Sequence, residues 1–199
     1  MKPALFLWLA CLPLAAEEMA VDLNPARAAV TFTLGATLHT VHGSFKLKRG
    51  NLRFDTDTGR AGGEIVVDAT SGLTGEGARD RRMHKEILET ARYPEVAFSP
   101  DHVTGQLSPS GESRIDVRGA FQLHGASHEM TLHFLVQNQG GEFTATTDFT
   151  IPYIEWGLKN PSTFVLRVSD KVQMHIEAAG RASACSGTAV GQASECGGL

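Results

Sequence analysis

The feature that most constrains the fold is an alternation of apolar and polar residues with a period of two, repeated along most of the 199-residue chain. Ile115 and Val117, for example, alternate with Asp116 and Arg118. This pattern is typical of antiparallel strands with one face buried and the other in water. It predicts eight or nine strands joined mostly by short turns, over residues 27–35, 43–55, 62–70, 102–107, 114–124, 128–137, 142–151, 164–168 and 171–179.

A set of strands of this size can close into an up-and-down barrel or pack as two sheets. Closure removes the sheet edges and gives all the apolar faces one shared interior, so we expect a barrel. The interior of an eight-stranded barrel is either filled by side chains or holds one small apolar ligand. Both alternatives remain open, because the same apolar face builds a core or lines a cavity. The sequence thus predicts a single all-β domain over residues 20–180.

One stretch, residues 77–100, departs from the strand pattern in its first part, and the apolar β-like run 96–98 then returns the chain to the sheet. In that first part the apolar residues instead recur with a helical spacing on one face: Met83, Ile87, Leu88 and Ala91. Asp80 is a candidate N-cap, and the helix should end by about Arg92, because the residue before Pro94 is pushed out of the helical region. A lone amphipathic helix among strands predicts a short insertion that covers part of the barrel.

The first sixteen residues have the pattern of a secretory signal peptide. Lys2 precedes a short apolar run, residues 4–14, and two alanines follow it. The run is too short to span a membrane, and no later segment approaches the roughly 20 apolar residues required. Trp8 and the short run before Cys11 argue against a lipoprotein signal. We therefore expect a periplasmic or secreted protein that does not span the membrane, although transient contact with a membrane surface is compatible with this pattern.

Residues 181–199 are rich in Gly, Ser and Ala and have no apolar period, which predicts a flexible tail. The tail contains Cys185 and Cys196. An oxidising compartment would allow these two cysteines to form a disulfide, but their spacing alone does not decide whether they do.

Composition and motifs exclude several classes of function. The net charge of −4 argues against nucleic acid as a partner, which requires an excess of Lys and Arg. Neither His39 with His42 nor His124 with His128 is accompanied by an acidic residue or a cysteine at metal-ligand spacing, so we predict no metal site. No paired carboxylates lie in apolar runs. We therefore predict a protein without a cofactor or catalytic residues.

Five segments in a fixed order carry a resemblance to a known family. They are VDLNPARAAVTFTLGATLHTVHGSF, TGEGARDRRM, ARYPEVAFSP, VRGAFQLHGASHEMTL and the ending WGL…VSDKVQMHIE. In these segments the chain resembles the YceI-like family, which consists of exported bacterial proteins with a lipocalin-like barrel that bind polyisoprenoid lipids. The resemblance implies an antiparallel lipocalin-like β-barrel of about eight strands, with one short helical insertion near the barrel mouth.

The resemblance also implies that the barrel is hollow and holds the tail of a polyisoprenoid, a quinone or another amphiphilic lipid. In this chain the apolar wall would be formed by Phe32, Leu34, Phe45, Phe54, Ile65, Met83, Ile87, Leu88, Phe98, Val117, Phe121, Leu132, Phe134, Phe149, Ile151, Trp156 and Met174. The cations nearest to a headgroup at the mouth would be Arg79, Arg81, Arg82 and Lys85.

Three alternatives accompany this interpretation. The cationic cluster can be an ordinary solvated helix face. The barrel can be a ligand-free interaction or stress-response protein with a filled core. The third alternative is an enzyme acting on a small apolar substrate, which would need a His or Asp inside the barrel with a shifted pKa. The oligomeric state and the identity of the ligand do not follow from the sequence.

Overall fold

The computed structural model describes residues 18–37, 39–163 and 167–185. Eight antiparallel strands form one closed barrel in which each strand pairs with the next and the last returns to the first. The all-β barrel prediction is therefore confirmed. The strands are β1 (Glu18–Gly35), β2 (Thr40–Asp55), β3 (Ala61–Leu73), β4 (Glu95–Thr104), β5 (Ser110–Leu123), β6 (Ala126–Gln139), β7 (Glu142–Ile151) and β8 (Val172–Cys185).

Two parts of the chain on which the sequence made predictions lie outside the described residues. They are the signal peptide, residues 1–16, and residues 186–199 of the tail, with Cys196. The ninth predicted strand, 164–168, is described only at its last two residues, where Val168 forms an isolated bridge with Ala36.

The strand order gives the barrel two different ends. At the far end, three short turns join the strands: residues 56–60, 105–109 and 140–141. At the mouth end, the connections are a short turn at 36–39, the helical insertion within 74–94, the turn at 124–125 and a long loop, 152–171. Every large irregular segment between the strands therefore lies at the mouth end.

The barrel extends beyond the predicted 20–180 boundaries. β1 begins at Glu18, which pairs with Cys185, so β8 continues five residues past position 180. A bulge at residues 24–27 interrupts this pairing between Leu23 and Ala28. The Ser- and Ala-rich end of β8 shows no apolar period, yet its backbone still completes the ladder with β1, which needs no particular side chain. Cys185 is disulfide-bonded.

The helical insertion is the α-helix α1 (Gly77–Arg82), continued by one turn of π-helix, Met83–Ile87. We call Gly77–Ile87 the helical segment. Its N-cap is Glu76, whose carboxylate accepts hydrogen bonds from the backbone N–H groups of Ala78 and Arg79 at 2.8 and 2.9 Å. The prediction of Asp80 as N-cap is wrong, because the helix begins one turn earlier and Asp80 lies inside it.

The helical segment ends at Ile87, five residues before the predicted end at Arg92. Glu89 has φ of 46°, in the left-handed region, and this conformation stops the helix. The backbone N–H of Arg92 then closes a turn onto the carbonyl of Glu89 at 2.8 Å. The helix is therefore ended by the left-handed backbone conformation of Glu89, five residues before Pro94.

The helical segment docks on the barrel at Gly72 of β3. A Cβ at this position would lie 2.5 Å from Cε1 of Phe45 and 2.8 Å from Cε of Met83, so only glycine allows this close packing. The ring of His84 also contacts the Gly72 carbonyl oxygen, with Nε2 at 2.8 Å. These contacts hold the apolar face of the segment toward the barrel interior.

Candidate functional site

The barrel is hollow. Its interior is a cavity of about 640 Å³ to which all eight strands contribute side chains. Every apolar residue that the sequence predicted for the wall lines this cavity, with the single exception of Trp156. Met83 and Ile87 of the helical segment, and Leu88 directly after it, border the cavity at the mouth. The wall is almost entirely apolar, which suits an apolar occupant, because a polar group buried there would lose its hydrogen bonds to water.

Large apolar side chains line the far end of the cavity: Phe54, Leu107 and Phe143. Leu107 comes from the turn 105–109, whose backbone is tied to two neighbouring strands. The N–H of Ser108 donates to Ser113 Oγ and the carbonyl of Ser108 accepts from Asn138 Nδ2, both at 2.9 Å. The sequence assigned Leu107 to the end of the strand predicted over 102–107, but β4 ends at Thr104 and Leu107 lies in the turn, so it was missed as a residue of the cavity wall.

Two of the four predicted cations line the cavity mouth. Arg79 and Arg82 are half-buried there, whereas Arg81 and Lys85 are exposed and do not line the cavity. This difference in exposure follows from helix geometry. Arg79 and Arg82 are three residues apart and share one face, whereas Arg81 and Lys85 lie on the opposite face. The alternative of an ordinary solvated helix face therefore describes Arg81 and Lys85 but not Arg79 and Arg82.

Arg79 has the geometry of an anion-binding group. Its Nε donates to Thr74 Oγ1 at 2.8 Å, while its two terminal nitrogens have no partner among the described residues. Arg82, in contrast, is paired with Glu86 at 3.2 Å. The Thr74 hydroxyl in turn donates to Asp80 at 2.5 Å, so the guanidinium is fixed through a chain of two hydrogen bonds.

Both carboxylates near Arg79 are ionised and already bound. A hydrogen bond from the Thr74 hydroxyl lowers the pKa of Asp80, and the backbone N–H groups of Ala78 and Arg79 lower the pKa of Glu76. Each oxygen of Glu76 accepts one of these N–H groups. The negative charges therefore stabilise the start of the helix, and the positive terminus of Arg79 remains available at the mouth.

The loop after β7 supplies residues that sequence reasoning missed. Tyr153 is buried and lines the cavity, and its hydroxyl donates to the carbonyl of Ser169 at 2.6 Å. Burial raises the pKa of Tyr153 to about 12, so the hydroxyl stays protonated and keeps this bond. Leu158, Pro161 and Val168 complete the wall on this side. An irregular loop carries no periodic signal, so its lining residues could not be separated from its solvated ones.

Trp156 lies beside the cavity but does not line it. Its ring stacks on His128 with centroids 3.9 Å apart and an angle of 4°, and lies 5.7 Å from the ring of Phe121. The neighbouring His124 instead contacts Tyr93 at 4.4 Å and Glu89 at 3.8 Å. Across residues 18–37, 39–163 and 167–185, no three His, Cys, Asp or Glu side chains are grouped to hold a metal ion.

None of the helical turns in the described part of the chain is long and apolar enough to cross a membrane.

Comparison with known proteins gives a consistent result. A family model described as the YceI-like domain matches residues 22–179. A UPF0312 protein of Pseudomonas putida (strain W619) is 28% identical over 158 residues, which cover 73% of this chain and 79% of that protein. A UPF0312 protein of Vibrio parahaemolyticus is 24% identical over 179 residues, covering 83% of this chain and 90% of that protein.

Two solved structures share the fold. BcnA of Burkholderia cenocepacia superposes with a TM-score of 0.65 at 16% identity, covering 79% of this chain and 99% of that one. A polyisoprenoid binding domain from Saccharophagus degradans, implicated in plant cell wall breakdown, superposes with a TM-score of 0.62 at 18% identity, covering 82% and 98%. At these identities the likeness concerns the fold of the barrel.

Proposed function

The chain belongs to the YceI-like domain family, and from this premise we propose that it is an exported, non-catalytic binding protein that carries or sequesters an isoprenoid or a similar amphiphilic lipid. The observation that carries the proposal is the hollow apolar barrel with a fixed cation at its mouth. The polyisoprenoid-binding domain of Saccharophagus degradans, which shares this fold, supports the choice of ligand. The signal-like start of the sequence supports a periplasmic or secreted location.

The tail would supply most of the affinity. Burying apolar groups is worth about 0.8 kcal/mol per CH₂-sized group, so one isoprene unit contributes a few kcal/mol. A carbon-sized group fills roughly 30 Å³, as a water molecule does, so the cavity of about 640 Å³ holds about four isoprene units. A longer tail would extend beyond the cavity and gain less from each further unit.

The headgroup would stay at the mouth, where the two terminal nitrogens of Arg79 have no hydrogen-bond partner within the described ranges of the chain. A guanidinium binds phosphate oxygens through two parallel hydrogen bonds, which favours a phosphorylated headgroup over an alcohol. A quinone carbonyl is uncharged and offers a single oxygen, so its hydrogen bonds with the guanidinium lack the charge assistance and the two-oxygen geometry of a phosphate. The geometry therefore favours an anionic prenyl lipid.

Lipid extraction from the purified protein tests the proposed function directly. We expect mass spectrometry of the organic extract to show a stoichiometric amphiphile, and we expect stripped protein to take up a fluorescent farnesyl probe. A protein that yields no lipid and takes up no probe would instead be the ligand-free interaction barrel.

A pair of arginine variants tests the headgroup contact. We expect Arg79→Gln to weaken farnesyl diphosphate binding about tenfold, because it removes one charge-assisted pair. Arg81→Gln, on the exposed face of the same helix, should change the affinity less than about twofold. Farnesol, which lacks the phosphates, should bind both variants and the wild-type protein equally. Equal losses for Arg79→Gln and Arg81→Gln would show that only the general charge of the helix matters.

A further inference from the structure

The barrel wall has a discontinuity on the mouth side of β6 and β7. These strands pair only over residues 135–139 and 142–146. Both strands continue toward the mouth, through residues 126–134 and 147–151, without pairing to each other. We call these two unpaired stretches the seam. On either side of the seam the ladders are complete, since β5 pairs with β6 from Ser110 to Leu123 and β7 pairs with β8 along its whole length.

Aromatic side chains close the seam in place of backbone hydrogen bonds. His128 of β6 pairs with Phe121 of β5, so both point to the inside of the barrel. The ring of Trp156, which comes from the loop after β7, reaches across and stacks on His128 at 3.9 Å. Phe149 of β7 approaches Phe121 edge-on at 6.2 Å. The seam is therefore held by ring contacts, which can separate without breaking a ladder of backbone hydrogen bonds.

Two buried polar atoms at the seam have no hydrogen-bond partner among the described residues: His128 Nε2 and Thr147 Oγ1. Thr147 directly follows the last paired residue of β7, and its side chain is only 2% exposed. A buried polar group without a partner destabilises the closed arrangement, and water reaches it when the seam opens. The closed seam is thus destabilised locally by these two atoms, and opening the seam removes this cost because water can then bind them.

The loop that carries Trp156 is anchored on both sides of it. Residues 152–159, which we call the strap, are held at Tyr153 by its bond to the Ser169 carbonyl at 2.6 Å. At the other end of the strap, Lys159 lies 3.7 Å from the carboxylate of Glu89. Trp156 lies between these anchors, and Gly157 beside it has φ of 90°, which gives the strap a glycine at the turn.

We propose that the seam between β6 and β7 is a lateral opening through which the lipid tail enters and leaves the barrel, and that Trp156 is the latch that holds it closed. The inference rests on the proposed function, because it needs a tail that occupies the cavity. The alternative route, the mouth beside the helical segment, is bordered by charged groups such as Glu76 and Arg79, which an apolar tail would have to pass. The seam is bordered by aromatic rings.

Exchange kinetics of a farnesyl probe carrying a fluorescent NBD group test the proposal. The association rate constant kon and the dissociation rate constant koff are measured by stopped flow, with release into lipid vesicles. We expect Trp156→Ala to raise both rate constants at least about tenfold and to leave Kd within about threefold, because a latch changes the barrier and not the end states. Trp156→Phe, which keeps a ring on His128, should remain within about threefold of the wild-type rates.

Two further variants separate a latch from a merely structural ring. His128→Ala removes the other half of the stack and should raise both rate constants in the same way, which also covers the case that Trp156→Ala fails to fold. Phe143→Ala removes a ring from the far end of the cavity and should raise koff alone. Wild-type protein that binds no probe would overturn the proposed function together with this inference. Probe binding with kon unchanged in both Trp156→Ala and His128→Ala would overturn only the latch.

Discussion

The two ends of the barrel are built in different ways, although the same eight strands form both. At the far end, short turns join the strands, and the buried side chain of Asn138 binds two of those turns, at the Ser108 carbonyl and at the N–H of Gly141. At the mouth end, two of the four connections are long, namely the helical insertion within 74–94 and the loop 152–171, and both contain half-buried and charged residues. The comparison suggests that the far end stabilises the barrel, whereas the mouth end is arranged for exchange with the surroundings.

Backbone conformation supports the same distinction. The described part of the chain contains two residues other than glycine with positive φ, Glu89 at 46° and His124 at 53°, and both lie at the mouth. Each conformation costs of the order of 1 kcal/mol, and such strain concentrates at functional sites. The two side chains also face each other, with His124 Nε2 3.8 Å from the Glu89 carboxylate. At the far end, the positive-φ positions are glycines, which adopt this conformation without strain.

The largest loss of stability is expected when a buried aromatic ring is removed from the far end. Phe143 is 7% exposed and lies against Gly180 of the neighbouring strand. We expect Phe143→Ala to lower the free energy of unfolding by about 3–5 kcal/mol, measured by urea denaturation.

The matched variant at the mouth is Leu88→Ala. Leu88 is half-buried and borders the cavity, so its removal should lower the free energy of unfolding by only about 1–2 kcal/mol. If Leu88→Ala proved as costly as Phe143→Ala, the two ends would contribute equally to stability and the distinction would be wrong.

A smaller effect is expected at Asn138, which is 6% exposed. Asn138→Ala leaves the Ser108 carbonyl and the Gly141 N–H without their partner, so we expect a loss of about 1–3 kcal/mol in the free energy of unfolding. Asn24→Ala is the control, because the Asn24 side chain also accepts a backbone N–H, from Ala26 at 3.0 Å, but is exposed. This control should lose less than about 0.5 kcal/mol.

Amide hydrogen exchange tests whether Asn138 stabilises the far end of the barrel alone. In Asn138→Ala, we expect the amides of the turns 105–109 and 140–141 to exchange faster, while those of the helical segment stay unchanged. Faster exchange at both ends would mean that Asn138 supports the whole barrel and not the far end alone.

Most of the fold could be predicted from the strand pattern, because alternation with a period of two shows directly which face of a sheet is buried. Phe121 and Leu132 could be assigned to the interior from their neighbours alone, and both line the cavity. The end of β8 was missed because residues 181–185 show no apolar alternation and pair with β1 through the backbone. The start of β1 was missed although Met19, Val21 and Leu23 alternate with polar or small residues, because the predicted strand began only at residue 27. Pairing between distant segments leaves no trace in a local pattern.

The site was less predictable than the fold because its polar residues are placed by tertiary contacts. The separation of Arg79 from Arg81 follows from which helix face docks on Gly72, and that face is decided by close packing with Met83 and Phe45. Trp156 was predicted in the apolar wall as part of what the resemblance to the YceI-like family implies. Its stacking on His128 depends on the gap between β6 and β7, which no sequence period reveals.

The smallest expected effect is a pH dependence at the mouth. The Thr74 hydroxyl lowers the pKa of Asp80 below its ordinary value of 3.8, so Asp80 stabilises the helical segment fully at pH above 3.8. This contribution is lost as the pH falls from 3.8 through the lowered pKa, because the protonated carboxyl is a weaker acceptor. We expect Asp80→Asn to lower Tm by about 1–3 °C at pH 6 and to match the wild-type Tm at the lowest pH at which the barrel remains folded.

Asp57→Asn is the control for this pH dependence, since Asp57 lies in an exposed far-end turn. Its Tm should follow that of the wild-type protein at every pH. A Tm difference for Asp80→Asn that is independent of pH would show that the carboxylate charge is not what orders the mouth. The hydrogen bonds from Thr74 would then act only through their geometry, and the fixed orientation of Arg79 would not depend on the ionisation of its neighbour.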